Sequence, residues 1–185
     1  MRVIIGLTGR IGAGKSIVSD WLKQKGFAHY RLSDIVREEV TKKGIPIVRQ
    51  VLQDMGDDLR KKNGDGILAE RMLEKVDGEK VIIDSIRNPG EVEVLKREPS
   101  FKLVAIDADP KLRFERVRER SRESDPETWE AFEIVDERDS GENEEKSGQQ
   151  VSACMELADV KLENNFSSIE EFQKEVESKL SPLLD

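Results

Sequence analysis

Gly9, Gly14, Lys15 and Ser16 fall at the spacing G-x-x-x-x-G-K-[ST], with Gly12 as a further glycine inside the run GLTGRIGAGKS. Glycines at these places let the backbone curl so that successive N–H groups point inward, a concave donor surface suited to phosphate oxygens. A helix starting near Lys15 adds unpaired N–H groups and the positive end of its dipole. The backbone of Gly9, Arg10, Ile11, Gly12, Ala13, Gly14, Lys15, Ser16 and Ile17 is therefore expected to hold nucleotide phosphates. Lys15 would reach the β/γ-phosphates, and the Ser16 hydroxyl would ligate Mg²⁺. In a chain of 185 residues the four fixed positions match by chance only about 1% of the time at ordinary composition. The motif points to ATP and Mg²⁺; it is silent on what the nucleotide is used for.

Other residues could extend that chemistry. Asp84 closes the apolar run Lys80-Val81-Ile82-Ile83, where a carboxylate could hold Mg²⁺ through water. Arg37 and Arg87 each follow an acid, Asp34 and Asp84, by three residues. Phosphoryl transfer must neutralise charge on both donor and acceptor, and a planar guanidinium suits that better than an ammonium. Asp34, Arg37 and Arg87 are therefore the expected acceptor-binding residues. Between 110 and 122 lie Arg113, Arg116, Arg118, Arg120 and Arg122. Glu115, Glu119 and Glu123 pair some of them as an ordinary solvated helix face. Arg116 and Arg120 share one face and Arg122 enters a polar segment, so these three are the expected carriers of charge to the transferring phosphoryl group. Asp107, His29, Cys154, Trp21 and Trp129 read as structural.

The elements that must position these residues follow from apolar patterning. Continuous apolar runs predict parallel strands over 2–8, 80–84 and 101–106, with a short second strand over about 28–32 and a shorter alternating strand over 159–163. Residues 35–79 read as mainly helical, broken at Lys43-Gly44-Ile45-Pro46 and Asn63-Gly64-Asp65-Gly66, with Ser33 as N-cap. That is longer than an ordinary crossover and predicts a helical acceptor-binding insertion. Asn88-Pro89-Gly90 turns the chain into a helix, and Asp125-Pro126 opens a stretch containing Trp129, Phe132 and Val135. Residues 136–150, DERDSGENEEKSGQQ, have almost no apolar content and predict an exposed, mobile segment, part of a lid over 122–150. A helix over 149–157 follows, and Ile169, Phe172, Val176 and Leu180 mark the stripe of the last helix. Alternating strands and helices give an α/β fold of three layers, α/β/α, with a mostly parallel five-stranded sheet in a single domain, 1–185. Ligands in such folds sit beyond the carboxyl ends of the strands, where the glycine loop, Asp34, Asp84 and Arg87 all fall.

Composition excludes several classes. The net charge of −8 argues against a nucleic-acid polymer as partner. One cysteine excludes an internal disulfide and a multi-cysteine metal site. No apolar run approaches membrane-spanning length, and MRVIIGLTGR is too short and glycine-broken for a signal peptide. The expectation is a cytoplasmic monomer or homodimer acting on small-molecule nucleotides, with no membrane association.

On these residues the chain resembles the nucleoside monophosphate kinase group of P-loop proteins. Asp34-Ile35-Val36-Arg37 is similar to the G-D-x-x-R segment of adenylate kinases, whose arginine binds the acceptor phosphate. Asp84-Ser85-Ile86-Arg87 resembles their D-G-x-P-R segment, with Ile86 where proline is usual, and Arg116 and Arg120 match lid-proximal arginines. Archaeal adenylate-kinase-related proteins, and kinase-like domains found beside deoxycytidylate deaminases, are the nearest in pattern. The resemblance implies strand order 2-3-1-4-5, a helical acceptor-binding insertion and a lid. The chain also resembles dephospho-coenzyme A kinase, in GLTGRIGAGKS, in Asp34 and in ADVKLENN (158–165), although the usual mid-chain His-Pro pair is missing. A monophosphate acceptor is already an oxyanion and needs no base, whereas a hydroxyl acceptor would make Asp34 the general base. A third reading is an NTP-dependent switch in which 125–150 binds a partner. Such a switch needs no second phosphate site, so the acceptor-side arginines favour a kinase.

Overall fold

The computed structural model describes residues 2–120, 125–141 and 144–184. Five strands, β1 (Val3–Gly9), β2 (Ala28–Arg31), β3 (Lys80–Asp84), β4 (Phe101–Asp107) and β5 (Val160–Glu163), form one sheet in the order β2-β3-β1-β4-β5. Every neighbouring pair is parallel. The helices are α1 (Lys15–Gln24), α2 (Leu32–Lys42), α3 (Arg49–Asn63), α4 (Ile67–Leu73), α5 (Pro89–Leu95), α6 (Pro110–Arg120), α7 (Trp129–Ser140), α8 (Val151–Glu156) and α9 (Ile169–Leu180). Among the described residues, no helix is long and apolar enough to cross a membrane.

Strand periodicity of two sorts each run of apolar residues onto two faces. Ile4, Val81, Ile83 and Leu103 pack beneath α2, α3, α4, α5 and α8. Ile5, Leu7, Ile82, Val104, Ile106 and Leu162 pack against α1 and α9. Both faces are covered at the centre of the sheet, which is why β1, β3 and β4 read as continuous apolar runs rather than alternating ones. Gly6 is the exception in β1, because a Cβ there would lie 2.6 Å from the Phe101 ring. A third, small apolar cluster joins Ile11 of the glycine loop to Val117 of α6 and Phe132 of α7, with Phe114 and Trp129 around it. The Phe114 and Trp129 rings meet edge to face, with centroids 5.5 Å apart.

Three expectations from patterning are corrected. Ser33 is not an N-cap: α2 begins at Leu32, capped by Arg31 without a side-chain bond. β2 stays paired with β3 through Arg31 and Asp84 and runs straight into the helix, leaving no turn for Ser33 to cap. Ile169 is 56% exposed, so the apolar stripe of α9 consists of Phe172, Val176 and Leu180.

The third correction concerns 136–150, which is not a uniformly exposed stretch. Helix α7 continues to Ser140, and Asp139, Ser140 and Gln149 are buried. Asn88 Nδ2 donates to the carbonyls of Lys146 and Gly148 at 2.9 Å each. Polar residues are buried here because arginines and amides from α3, α6 and the segment after β3 meet them, a form of burial that hydropathy does not register.

Candidate functional site

The loop from Gly9 to Gly14 lies at the carboxyl end of β1. Gly12 and Gly14 have φ of 77° and 105°, backbone conformations a side chain resists. A Cβ on Gly14 would also stand 2.5 Å from the Asn164 side chain. Asn164, 2% exposed, fastens the loop: its Nδ2 donates to Ala13 O at 2.9 Å, and its own N–H donates to Asp107 O at 2.7 Å. Lys15 opens α1 and curls back, donating to Gly9 O at 2.6 Å and Arg10 O at 2.9 Å. Burial lowers its pKa to about 8; Arg87 and Arg120 push the same way, while Asp84 and Asp139 oppose. Ser16 is exposed at the mouth of the loop.

Asp84 ends β3 beside the loop. Its Oδ1 accepts from the Ser85 N–H at 2.5 Å, and its Oδ2 lies 3.4 Å from His29 Nε2. Burial alone would raise this carboxyl's pKa, but the His29 bond, the Lys15 charge and the Ser85 N–H together hold it below the usual range. An ionised acid of this kind fits Mg²⁺, which keeps most of its water and asks little of the protein. With both oxygens already engaged, Asp84 suits a metal held through water. Ser85 has φ of 66°, the one positive value outside glycine among the described residues. That turn sets Asp84 and Arg87 on the same edge, and Ile86 N–H returns to Leu7 O at 3.3 Å.

Beyond β3, Arg87 Nη1 donates to Gln149 Oε1 at 3.0 Å and lies 3.8 Å from Asp139. Its backbone N–H and that of Asn88 both donate to Glu91 Oε2, and the buried Arg60 holds Glu91 Oε1 at 2.8 Å. Asp34 lies half-buried in the first turn of α2; Arg37 is exposed one turn on. Neither Asp34 nor Arg37 has a hydrogen bond or ion pair with the described residues, so the structure ties Arg87 into the site but not Arg37.

The arginine helix divides. Arg113 is not part of a solvated face: it is 3% exposed. It holds Asp136 of α7 through Nη1 at 2.6 Å and Nη2 at 2.9 Å, and also bonds Ala108 O and Ile11 O. Arg10 joins the same carboxylate at 3.5 Å and bonds Ser152 at 3.1 Å, so the glycine loop is tied directly to α7 and α8. Arg116 approaches Asn164 Oδ1 and Phe166 O at 3.4 and 3.3 Å. Arg120 forks onto Asp125 at 2.6 and 2.8 Å. Arg122 lies outside the described residues. The sequence reading missed Asn164 as a loop clamp, and it missed Asp136, Asp139, Arg49 and Gln53. The i,i+3 pair Asp136/Asp139 and the i,i+4 pair Arg49/Gln53 were the available signals, since such spacings put two polar groups on one helix face.

A parallel sheet of this order, with a phosphate-cradling loop after its central strand and an acid closing the neighbouring strand, defines a P-loop protein with a kinase-like fold. The fold is similar to that of shikimate kinase from Bacteroides thetaiotaomicron, with a TM-score of 0.56 and 15% identity, covering 95% of this chain and 97% of that one. It is similar also to a gluconokinase from Sinorhizobium meliloti, with a TM-score of 0.54 and 14% identity, covering 99% of this chain and 95% of that one. The chain belongs to the AAA domain family, whose profile matches residues 5–144, and to the UPF0200 proteins. It is 37% identical over 185 residues to the UPF0200 protein of Hyperthermus butylicus, covering 98% of this chain and 95% of that one.

Proposed function

We propose that the protein is an ATP- and Mg²⁺-dependent phosphotransferase whose acceptor is a small nucleotide, a ribo- or deoxynucleoside monophosphate. The observation that carries this reading is the geometry at the carboxyl edge of the sheet. Lys15 opens α1 at the end of the glycine loop that follows β1, Asp84 closes the neighbouring strand β3, and Arg87 follows in the turn after it, so a phosphate-loop lysine, a metal-side acid and an arginine stand at the ends of adjacent strands. In this reading Gly9 to Ile17 hold the ATP phosphates, and Ser16 with Asp84 holds Mg²⁺. Asp34, Arg37 and Arg87 receive the acceptor, and Arg116, Arg120 and Arg122 stabilise charge on the transferring group. Residues 35–79 form the acceptor-binding insertion and 122–150 the lid.

Bound Mg²⁺, held by Ser16 and Asp84, would supply neutralisation of the ATP phosphates' charge. The chain's own part is orientation: an acceptor phosphate oxygen forms a bond to Pγ as the bond from Pγ to the β-bridging oxygen breaks and ADP leaves. A monophosphate oxygen arrives ionised, so positioning and preorganised charge suffice. Asp34 keeps a second reading open, because a half-buried carboxylate with no partner among the described residues could take a proton from a hydroxyl acceptor such as dephospho-coenzyme A.

ADP release is the test, measured with Mg²⁺ and ATP and with each ribo- and deoxynucleoside monophosphate and dephospho-coenzyme A offered separately. Strong stimulation by one monophosphate, lost in Lys15→Ala with the fold intact, is expected. An acceptor KM unchanged by Arg37→Ala would remove Arg37 from the acceptor set. Stimulation by dephospho-coenzyme A alone would make Asp34 the base. Slow hydrolysis that no acceptor stimulates would refute the transferase reading.

A further inference from the structure

We infer that Asp139 is an internal stand-in for the acceptor's anionic group, filling an anion subsite built by Arg49, Gln53 and Arg87 and competing with the ligand for it. This rests on the phosphotransferase reading above. Asp139 belongs to the last turn of α7, the segment whose composition reads as solvent-exposed, yet it is only 4% exposed. Its Oδ2 accepts from Arg49 Nη2 at 2.7 Å, and its Oδ1 accepts from Gln53 Nε2 at 3.0 Å. Arg87 Nη1 stands 3.8 Å from the same Oδ1. Two donors from α3, and a guanidinium from the segment after β3, thus converge on one carboxylate. That carboxylate is also close enough to Lys15 to act on its ammonium.

The carboxylate does not use all that the subsite offers. Arg49 Nε is buried and has no hydrogen-bond partner, and the Arg87 contact is beyond hydrogen-bond length. A guanidinium fork favours two parallel bonds to one anion, whereas Asp139 takes only one from Arg49. A phosphate group is larger, carries up to two charges and presents three oxygens. It could meet Arg49 through both Nε and Nη2 while also reaching Arg87. Asp139 is then a competitor that keeps two half-buried arginines paired until an anion of better shape arrives. An empty subsite would leave these partly desolvated guanidiniums without a counter-charge. Arg49 becomes an acceptor-binding residue that neither spacing nor the acid-plus-three pattern of Arg37 and Arg87 marks.

The test first saturates the protein with a non-hydrolysable ATP analogue and Mg²⁺, so that the phosphate loop is filled. Inorganic phosphate is then titrated at constant ionic strength by calorimetry. Failure of the analogue to bind would sink the phosphotransferase reading itself, separately from this inference. With the analogue bound, Asp139→Asn should bind phosphate about tenfold more tightly than the unaltered chain, as expected when the competent fraction rises from roughly a tenth to nearly all. Arg49→Gln should weaken phosphate binding in both backgrounds. Phosphate binding to Asp139→Asn that is equal or weaker, or binding indifferent to Arg49→Gln, would overturn the inference. If Asp139→Asn fails to fold, the unaltered protein still decides. Phosphate should speed amide hydrogen exchange over 137–141 as the last turn of α7 lets go, and unchanged exchange there would overturn the proposal.

Discussion

Lys15 gives the sharpest test, because its ordinary pKa of 10.5 is lowered to about 8 mainly by burial. Only the ammonium attracts phosphate, and a bound phosphate restores the opposite charge that burial removed, so binding should pull the lysine back to full protonation. Above pH 8 the free protein must therefore take up a proton to bind ATP. At pH 9.5 about 3% of the free protein carries the ammonium, so the Kd for Mg²⁺-ATP should rise about 30-fold relative to pH 7. At pH 8.5 about three-quarters of a proton should be taken up per ATP bound. Calorimetry in two buffers of different ionisation enthalpy measures that uptake directly, over a range where ATP is already fully ionised. Lys15→Arg, permanently charged, should flatten the profile whatever it does to the affinity. The stability of the ligand-free protein should move the other way. A lysine whose folded pKa is depressed binds fewer protons than the unfolded chain between about 8 and 10.5, so stability rises with pH across that window. ATP affinity that is equal at pH 7.5 and 9.5, with no proton uptake, would refute the argument.

Three further outcomes concern the frame around the site. Arg60→Met should destabilise the fold by about 3–5 kcal/mol in urea unfolding, because it strands the carboxylate of Glu91 in the core. Adding Glu91→Gln should recover part of that loss, and a neutral single variant would contradict the buried pairing. Ser85→Gly should raise Tm by roughly 1–2 °C, as relief of the left-handed backbone outweighs glycine's added unfolded-state freedom; the Ser33 hydroxyl donates to Ser85 Oγ at 3.4 Å, and a lower Tm would show that this contact matters more than the strain. Arg113→Lys keeps the charge but loses the fork onto Asp136, and should cost about 2 kcal/mol in the same assay. A loss below about 0.5 kcal/mol, within the range of ordinary surface substitutions, would place Arg113 outside the frame.

The fold and the phosphate loop were legible in the chain because local rules dictate both. Three continuous apolar runs and two shorter strands, separated by helical periods, leave little choice but a parallel sheet whose central strands are covered on both faces. The glycines of GLTGRIGAGKS specify their own turn, since few other residues tolerate φ of 77° or 105° there. The place of Asp84 at the end of a buried strand, and of Arg87 in the turn after it, was legible for the same reason. Tertiary structure alone decided which charges are buried and which pair. Arg113 and Arg118 stand in the same arginine-dense helix, yet the first is buried against Asp136 and the second is exposed. Nor does the polar run 136–150 announce that Asp136 closes onto the glycine loop's Arg10 and Asp139 onto α3. A strand or a glycine turn is written in neighbours along the chain, whereas a buried ion pair is written in two distant places at once. Each half of such a pair, read alone, has the composition of a solvated surface, and only packing shows which charge each one meets.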